Sequence, residues 1–302
     1  MKSRDLIDLL LLATIWGSSF LFMRMVVPAF GPVALAFVRV AGAALFLLPL
    51  LLLWRGEWLL LRQHGRRMLV LGLTNSALPF LCFGYAVYTL PAGLAAIFNA
   101  ATPLSTALIA RAWLGTPLTR WPSLGLALGF AGVAGLAAYQ SMVSGHALAL
   151  QFDGRTGLAI GACLLGTLLY GHAGCYARRY LPGVPSMVMA AGTQTTAALA
   201  LALPALLMWP AVTPSGRDWA MAAALAVLAS GLAYILYFRL ISHVGPTRAA
   251  SVTFLVPLFA AAWGALVLGE SVTPQMVVGG AVVLAGSALV LGLLPRQPVG
   301  VA

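Results

Sequence analysis

Acidic residues are scarce in this chain. Six Asp and Glu stand against 17 Lys and Arg in 302 residues, and charged residues of both signs reach only 8%. A water-soluble domain carries roughly 25%, so there is too little polar surface to face water on all sides. No Asp or Glu falls in the interior of a long apolar run. Asp5 and Asp8 stand at the start of the first run, Asp218 opens another, and Glu270 sits in a polar turn. This excludes a buried carboxylate for an organic cation and a carboxylate proton relay. Cysteine is nearly absent too. Cys82, Cys163 and Cys175 all lie inside apolar runs, so they read as packing residues and imply no disulfide framework. Four scattered histidines and no long polar loop leave no metal site, no cofactor site and no room for a soluble catalytic domain.

What fills the chain is hydrophobic: 62% of residues are apolar, with mean hydropathy +0.99. About 20 apolar residues cross a bilayer as a helix. Ten such runs are present, at 6–26, 33–53, 68–89, 92–112, 121–139, 157–177, 184–209, 218–238, 246–268 and 273–294. Barrel strands would instead alternate over about ten residues. The first run lacks a small-residue cleavage site and reads as a retained span, not a removed signal peptide.

The basic residues fall on one side of these spans. With the N-terminus in the cytoplasm, 13 Lys and Arg lie at the inner face, and only Arg155 and Arg217 lie in outer loops. Arg24 and Arg39 remain within the outer halves of spans. The net charge of +11 is therefore an orientation signal along one membrane face, and nucleic acid is not needed to explain it.

The chain is one unit written twice. At a shift of 154 residues Ala95 meets Ala249, Pro103 meets Pro257, Leu114-Gly115 meets Leu268-Gly269, and Gly125 and Gly132 meet Gly279 and Gly286. Trp16-Gly17 meets Tyr170-Gly171, and Arg24 meets Arg178. Each unit holds five spans, an odd number, so the second enters the membrane from the opposite side. The expected fold is all-α, with ten transmembrane helices in two inverted five-helix repeats. They occupy 1–139 and 157–302, joined by a linker at 140–156. Inverted repeats are a mark of secondary transporters that bind substrate between the halves.

Several motifs carry a family resemblance: Trp16-Gly17-Ser18-Ser19, then Arg24, Pro32, Arg39, Pro103 and Pro257, and finally Leu268-Gly269-Glu270-Ser271-Val272-Thr273 with Gly279 and Gly286. In these the chain resembles the drug/metabolite transporter superfamily, in its ten-span group built from two EamA-type repeats. The first repeat departs from the pattern, with Thr116-Pro117 where the second has Glu270-Ser271. The resemblance implies ten helices, a bacterial inner membrane with both termini cytoplasmic, and export of small metabolites or amino acids.

Residue chemistry supplies candidates for a site. A mid-helix proline frees the carbonyl four residues earlier. Pro103 and Pro257 would free those of Asn99 and Thr253, themselves mates at the 154 shift. Either a polar substrate site or a kink satisfied by a neighbouring helix fits. Trp16 and Tyr170 are a symmetric aromatic pair at mid-span; Tyr85, Tyr88, Tyr234, Tyr237 and Trp263 are further aromatic candidates, and packing is the alternative for each. Asn75 is polar at membrane depth and faces Ala229 across the shift, which suits a site or an interhelical hydrogen bond. Arg39 and Arg24 are the costliest span residues and must face protein or water. Arg39 suits a substrate carboxylate or a gate; Arg24 is nearer the end and can snorkel. His172 is the sole histidine inside a span and the leading proton carrier if transport is proton-coupled. The lack of other relay groups favours movement down a gradient. Glu270 reads as a cap or the partner of an Arg. The glycine stripes read as packing faces of spans five and ten, with a homodimer seam as the alternative.

The leading reading is an exporter of amino acids or similar zwitterions. The runner-up is a nucleotide-sugar or phosphate-ester exchanger, which would want several cations in the cavity. A membrane enzyme acting on lipid precursors lacks its catalytic groups, and a receptor or scaffold would leave the duplication unexplained.

Overall fold

Inside lipid a backbone must satisfy its own polar groups, and a continuous apolar run does so as a helix. Among the described residues every regular element is helical. The computed structural model describes residues 3–53, 57–143, 154–244 and 252–292. The centre of the predicted linker, Arg155 excepted, and the start of the ninth apolar run with Arg248, Ala249 and Ala250 lie outside that set.

The first helix, α1 (Ser3–Leu53), has 51 residues, about 76 Å if straight and over twice the hydrocarbon thickness. It is not straight. Gly31 interrupts it with φ 72° and ψ 162°, a combination that needs glycine. The arms 3–30 and 32–53 fold back on each other. Met23 and Arg39 would stand about 24 Å apart along an unbroken helix, yet the Arg39 guanidinium reaches the Met23 sulfur at 3.4 Å. The first two predicted spans are thus one helix bent double.

After the short α2 (Glu57–Gln63) come α3 (Gly65–Thr89), α4 (Ala92–Leu114), α5 (Arg120–Val143), α6 (Gly154–Tyr180) and α7 (Ser186–Leu207). The chain continues through α8 (216–244), α9 (Val252–Leu268) and α10 (Pro274–Leu291). Among the described residues eight helices are long and apolar enough to cross a membrane, α1 among them, and α9 is a shorter apolar helix. With α1 counted as two arms, the ten predicted spans all have a helix.

Two helices carry π-helical stretches, Leu73–Ala77 in α3 and Leu225–Leu232 in α8. The 154 shift lays 73–77 onto 227–231, so the irregularity is duplicated. The α4 helix breaks at Ala100 and Ala101. The sequence predicts a proline kink here that leaves the Asn99 carbonyl open. The structure differs: the helix stops at Asn99 and restarts at Thr102, putting Pro103 in a first turn where its missing N–H costs nothing. The Asn99 carbonyl accepts from Thr102 Oγ1 at 2.7 Å, and the Ala100 carbonyl accepts from Ser287 Oγ of α10 at 2.9 Å. Pro257, by contrast, is buried inside α9.

The arms of α1 pack against α7, α8 and α9, while α3 and α4 pack on α6. The glycine stripes bring α5 and α10 together. A Cβ added at Gly286 would lie 2.5 Å from the Gly129 backbone nitrogen and 2.6 Å from the Gly125 carbonyl. Only glycines allow that approach, and there is no side chain to move aside. Overpacking a close contact costs about 1–3 kcal/mol. Gly286→Leu is expected to lower the melting temperature in detergent by several degrees. Gly135→Leu, on the same helix as Gly129 but with nothing within 4 Å of the new carbon, should leave it unchanged.

Candidate functional site

One cavity of about 310 Å³ lies among α1, α3, α4, α6, α8 and α9. That is near the lower end for a small-molecule site. Eight of the sequence-predicted residues line it: Trp16, Arg39, Asn75, Asn99, Tyr170, Tyr234, Tyr237 and Thr253.

Its lining is organised by the repeat. Fourteen of seventeen lining residues form seven pairs at the 154 shift. Trp16 pairs with Tyr170 and Asn99 with Thr253. Phe80 pairs with Tyr234, and Phe83 with Tyr237. Phe20 and Gly174, Asn75 and Ala229, and Thr102 and Val256 complete the set. Ser19, Met23 and Arg39 stand outside the pairing, with Ala173, Ala177 and Thr193 as their mates.

The π-helical stretches account for much of the polar geometry. Both reach the wall, through Asn75 in α3 and Ala229 in α8. Trp16 donates its indole N–H to the Ala229 carbonyl at 3.2 Å, and Asn75 donates to the Tyr234 hydroxyl at 3.3 Å. Their serines are mates as well. Ser230 accepts from Arg39 Nε at 2.9 Å, and Ser76 accepts from Gln194 Nε2 at 3.3 Å. In each case the second span of one half holds the irregular third helix of the other. Widened turns of this kind often mark functional positions.

Aromatic rings form the remaining wall. Trp16 lies 5.3 Å from Tyr237 and 6.5 Å from Tyr234, centroid to centroid, and Tyr170 stacks on Phe83 at 6.1 Å. Arg39, only 6% exposed, lays its guanidinium 3.8 Å over the Phe80 ring, a favourable cation–π position.

Other predicted residues lie elsewhere. Tyr85 is on the exposed surface of α3. His172 stacks on Trp113 at 5.2 Å and against Tyr176 at 5.8 Å, away from the cavity. Trp263 is half-buried in α9, outside the lining, and its indole nitrogen has no hydrogen-bond partner among the described residues.

Arg24 belongs to a clasp at one end of the helices. It donates to the carbonyls of Val87 and Leu90, at 2.8 and 2.7 Å, where α3 ends. Its Nε lies 2.5 Å from Glu270 Oε1 as a charge contact. Glu270 Oε2 accepts from Ala92 N, at the start of α4, at 2.9 Å. The polar turn after α9 thus folds back to cap α4 and to pair with α1, so Arg24 turns to protein groups instead of snorkelling. At the other end of the first α1 arm, Asp8 pairs with Arg239 and Asp5 lies 3.3 Å from His243, both partners on α8.

Sequence reasoning missed Phe80, Phe83 and Ser230. The signal was available for the first two, because each is matched at the 154 shift by an aromatic residue, Tyr234 or Tyr237. Nothing in the sequence marked Ser230, since it matters only through the widened turn that carries it.

Known proteins resemble this chain in sequence and in fold. The model of the EamA-like transporter family matches residues 6–138 and again 157–292. The chain is 28% identical over 319 residues to the inner membrane transporter YedA of Escherichia coli, across 99% of this chain and 96% of that one. It is 30% identical over 210 residues to protein PA1977 of Pseudomonas aeruginosa, across 69% and 68%. The WAT1-related protein At3g02690 of Arabidopsis thaliana is 26% identical over 285 residues, across 91% and 66%. One solved crystal structure has the same fold at TM-score 0.63, covering 96% of each chain at 18% identity.

The clasp makes a thermodynamic prediction. Its side chains are 30% and 12% exposed, so solvent screening reduces the pair below a fully buried one. Arg24→Ala strands a carboxylate and two carbonyls, whereas Glu270→Gln keeps an acceptor for Ala92. Thermal unfolding in detergent should therefore show Arg24→Ala as the more destabilising change. In a double-mutant cycle the losses should sum to more than that of the pair.

Proposed function

Given that the chain belongs to the EamA-like transporter family, and is thus a multi-pass membrane transporter of the drug/metabolite transporter superfamily, we propose that it exports small metabolites across a bacterial inner membrane, amino acids or similar zwitterions first among them. Both termini lie in the cytoplasm in this reading. The units 1–139 and 157–302 are inverted repeats that open the cavity alternately to either side. The observation that carries it is the lining itself: seven pairs of mates at the 154 shift line one cavity. Inverted halves that converge on a shared site are what alternating access requires. Asn75, Asn99 and Thr253 supply amide and hydroxyl groups for the polar end of an amphiphile, and Trp16, Tyr170, Tyr234 and Tyr237 supply its apolar walls. A sugar-nucleotide or phosphate ester would want several cations, and the lining holds one. His172, outside the lining, has no part in the transport step in this reading, and movement follows the solute gradient.

Counterflow in proteoliposomes, with labelled neutral amino acids, acidic metabolites and nucleotide sugars, tests this. Saturable exchange of a neutral amino acid is expected, independent of a pH gradient and unchanged in His172→Ala. Trp16→Ala and Asn99→Ala should each reduce it at least about tenfold, the loss of one buried contact in a small site. Exchange that needs the gradient and disappears in His172→Ala would sink uncoupled movement.

A further inference from the structure

The three lining residues outside the symmetric pairing sit together. Arg39 reaches Met23 through its Nη1, and Ser19 is one turn before Met23 on the same arm. They form the one corner of the cavity that has no counterpart across the repeat, and that corner holds its only charge.

The charge is uncompensated among the described residues. Arg39 spends Nε–H on Ser230 and one Nη1–H on a thioether, a weak acceptor. Phe80 covers one face of its plane. Five of the six carboxylates are in the described residues, and none reaches it. Asp5 and Asp8 are held by His243 and Arg239 and Glu270 by Arg24, while Asp218 caps α8 with Ser215 and Glu57 lies in α2. A guanidinium has five N–H donors and no acceptor capacity. A buried one without an anion carries a desolvation cost that an arriving carboxylate removes through charge-assisted hydrogen bonds.

The opposite charge has no such receptor. The lining contains no Asp or Glu, so a ligand ammonium would find only amides, hydroxyls and ring faces.

We infer that the ligand's carboxylate is obligatory and is received by Arg39, that its ammonium is dispensable, and that this corner fixes the ligand's orientation in a cavity otherwise nearly symmetric. The transported class is then the small monocarboxylate with an apolar body, of which neutral amino acids are one member. Ser230 acts as a positioning residue, aiming the guanidinium from the widened turn of α8. The inference rests on the cavity being the transport site.

Matched ligands on the purified full chain separate the possibilities. Leucine, 4-methylpentanoate and 3-methylbutylamine differ only in which charged group they keep, and the phenylalanine series does the same with an aromatic body. Each is tested as a thermal stabiliser in detergent and as a competitor of leucine counterflow in proteoliposomes. The carboxylates are expected to match or exceed the amino acids, and the amines to be weaker by at least about tenfold, the value of a charge-assisted hydrogen bond. Arg39→Gln should erase that difference and Arg39→Lys should restore part of it. Ser230→Ala should raise the half-saturating concentration and leave the preference for a carboxylate in place. Amines that compete as well as the acids overturn the inference and leave the carrier standing. If counterflow occurs but neither series stabilises or competes, the inference also falls. If no solute moves at all, the transport reading falls and takes the inference with it.

Discussion

Inside a bilayer there is no water to accept a stray backbone hydrogen bond, and this rule decides where the chain can depart from α-helix. Among the described residues its departures within the spans are few, and most of them meet at one cavity. The widened turns of α3 and α8 reach its wall through Asn75 and Ala229. The break in α4 lies between the lining residues Asn99 and Thr102. Each departure is also made good. The Ala100 carbonyl takes Ser287, the Asn99 carbonyl takes Thr102, and the Ala229 carbonyl takes Trp16. Gly31 is the exception in place, as it lies at the turn between two spans.

The same rule explains how much could be read from sequence. Hydropathy found a helix for every span because length and apolarity alone determine that answer in lipid. The duplication was visible as identities at one spacing, and it led directly to Trp16 with Tyr170 and Asn99 with Thr253. Those four line one cavity, together with Arg39, Asn75, Tyr234 and Tyr237, which were named for their polarity or their rings. What stayed hidden depends on which face of a helix a residue occupies. Tyr85 and Phe83 are two positions apart on α3, yet one is on the outer surface and the other in the wall. His172 and Tyr170 are likewise two positions apart on α6, yet His172 packs on Trp113 and only Tyr170 lines the cavity. Hydropathy has no period to exploit when both faces are apolar, so lipid-facing and cavity-facing aromatics look alike in sequence. The widened turns were illegible for a related reason, since Leu73–Ala77 contains neither proline nor glycine.

Charge is used sparingly and locally. The carboxylates with described ion pairs stand at helix ends, where they join α1 to the second half of the chain: Glu270 at one end, Asp5 and Asp8 at the other. Keeping anions at the ends leaves Arg39 as the only charge in the cavity wall, in an environment of rings, a thioether and a serine hydroxyl. The basic surplus of the sequence is therefore of two kinds: residues at the ends of spans, and one that faces the interior.

The clasp of Arg24, Glu270 and Ala92 has no copy. The 154 shift carries Glu270 onto Thr116, and it carries Arg24 onto Arg178, which is exposed and pairs with no described carboxylate. The ion pairs at the opposite end are single too, since Asp8 falls on Ala162 and Arg239 on Tyr85. Duplication therefore gave the two halves a common shape and left them different electrostatics. A molecule with equal ends could be turned over in its membrane without consequence. This one could not, because its two rims are fastened by different chemistry, and so its nearly reversible framework has a front and a back.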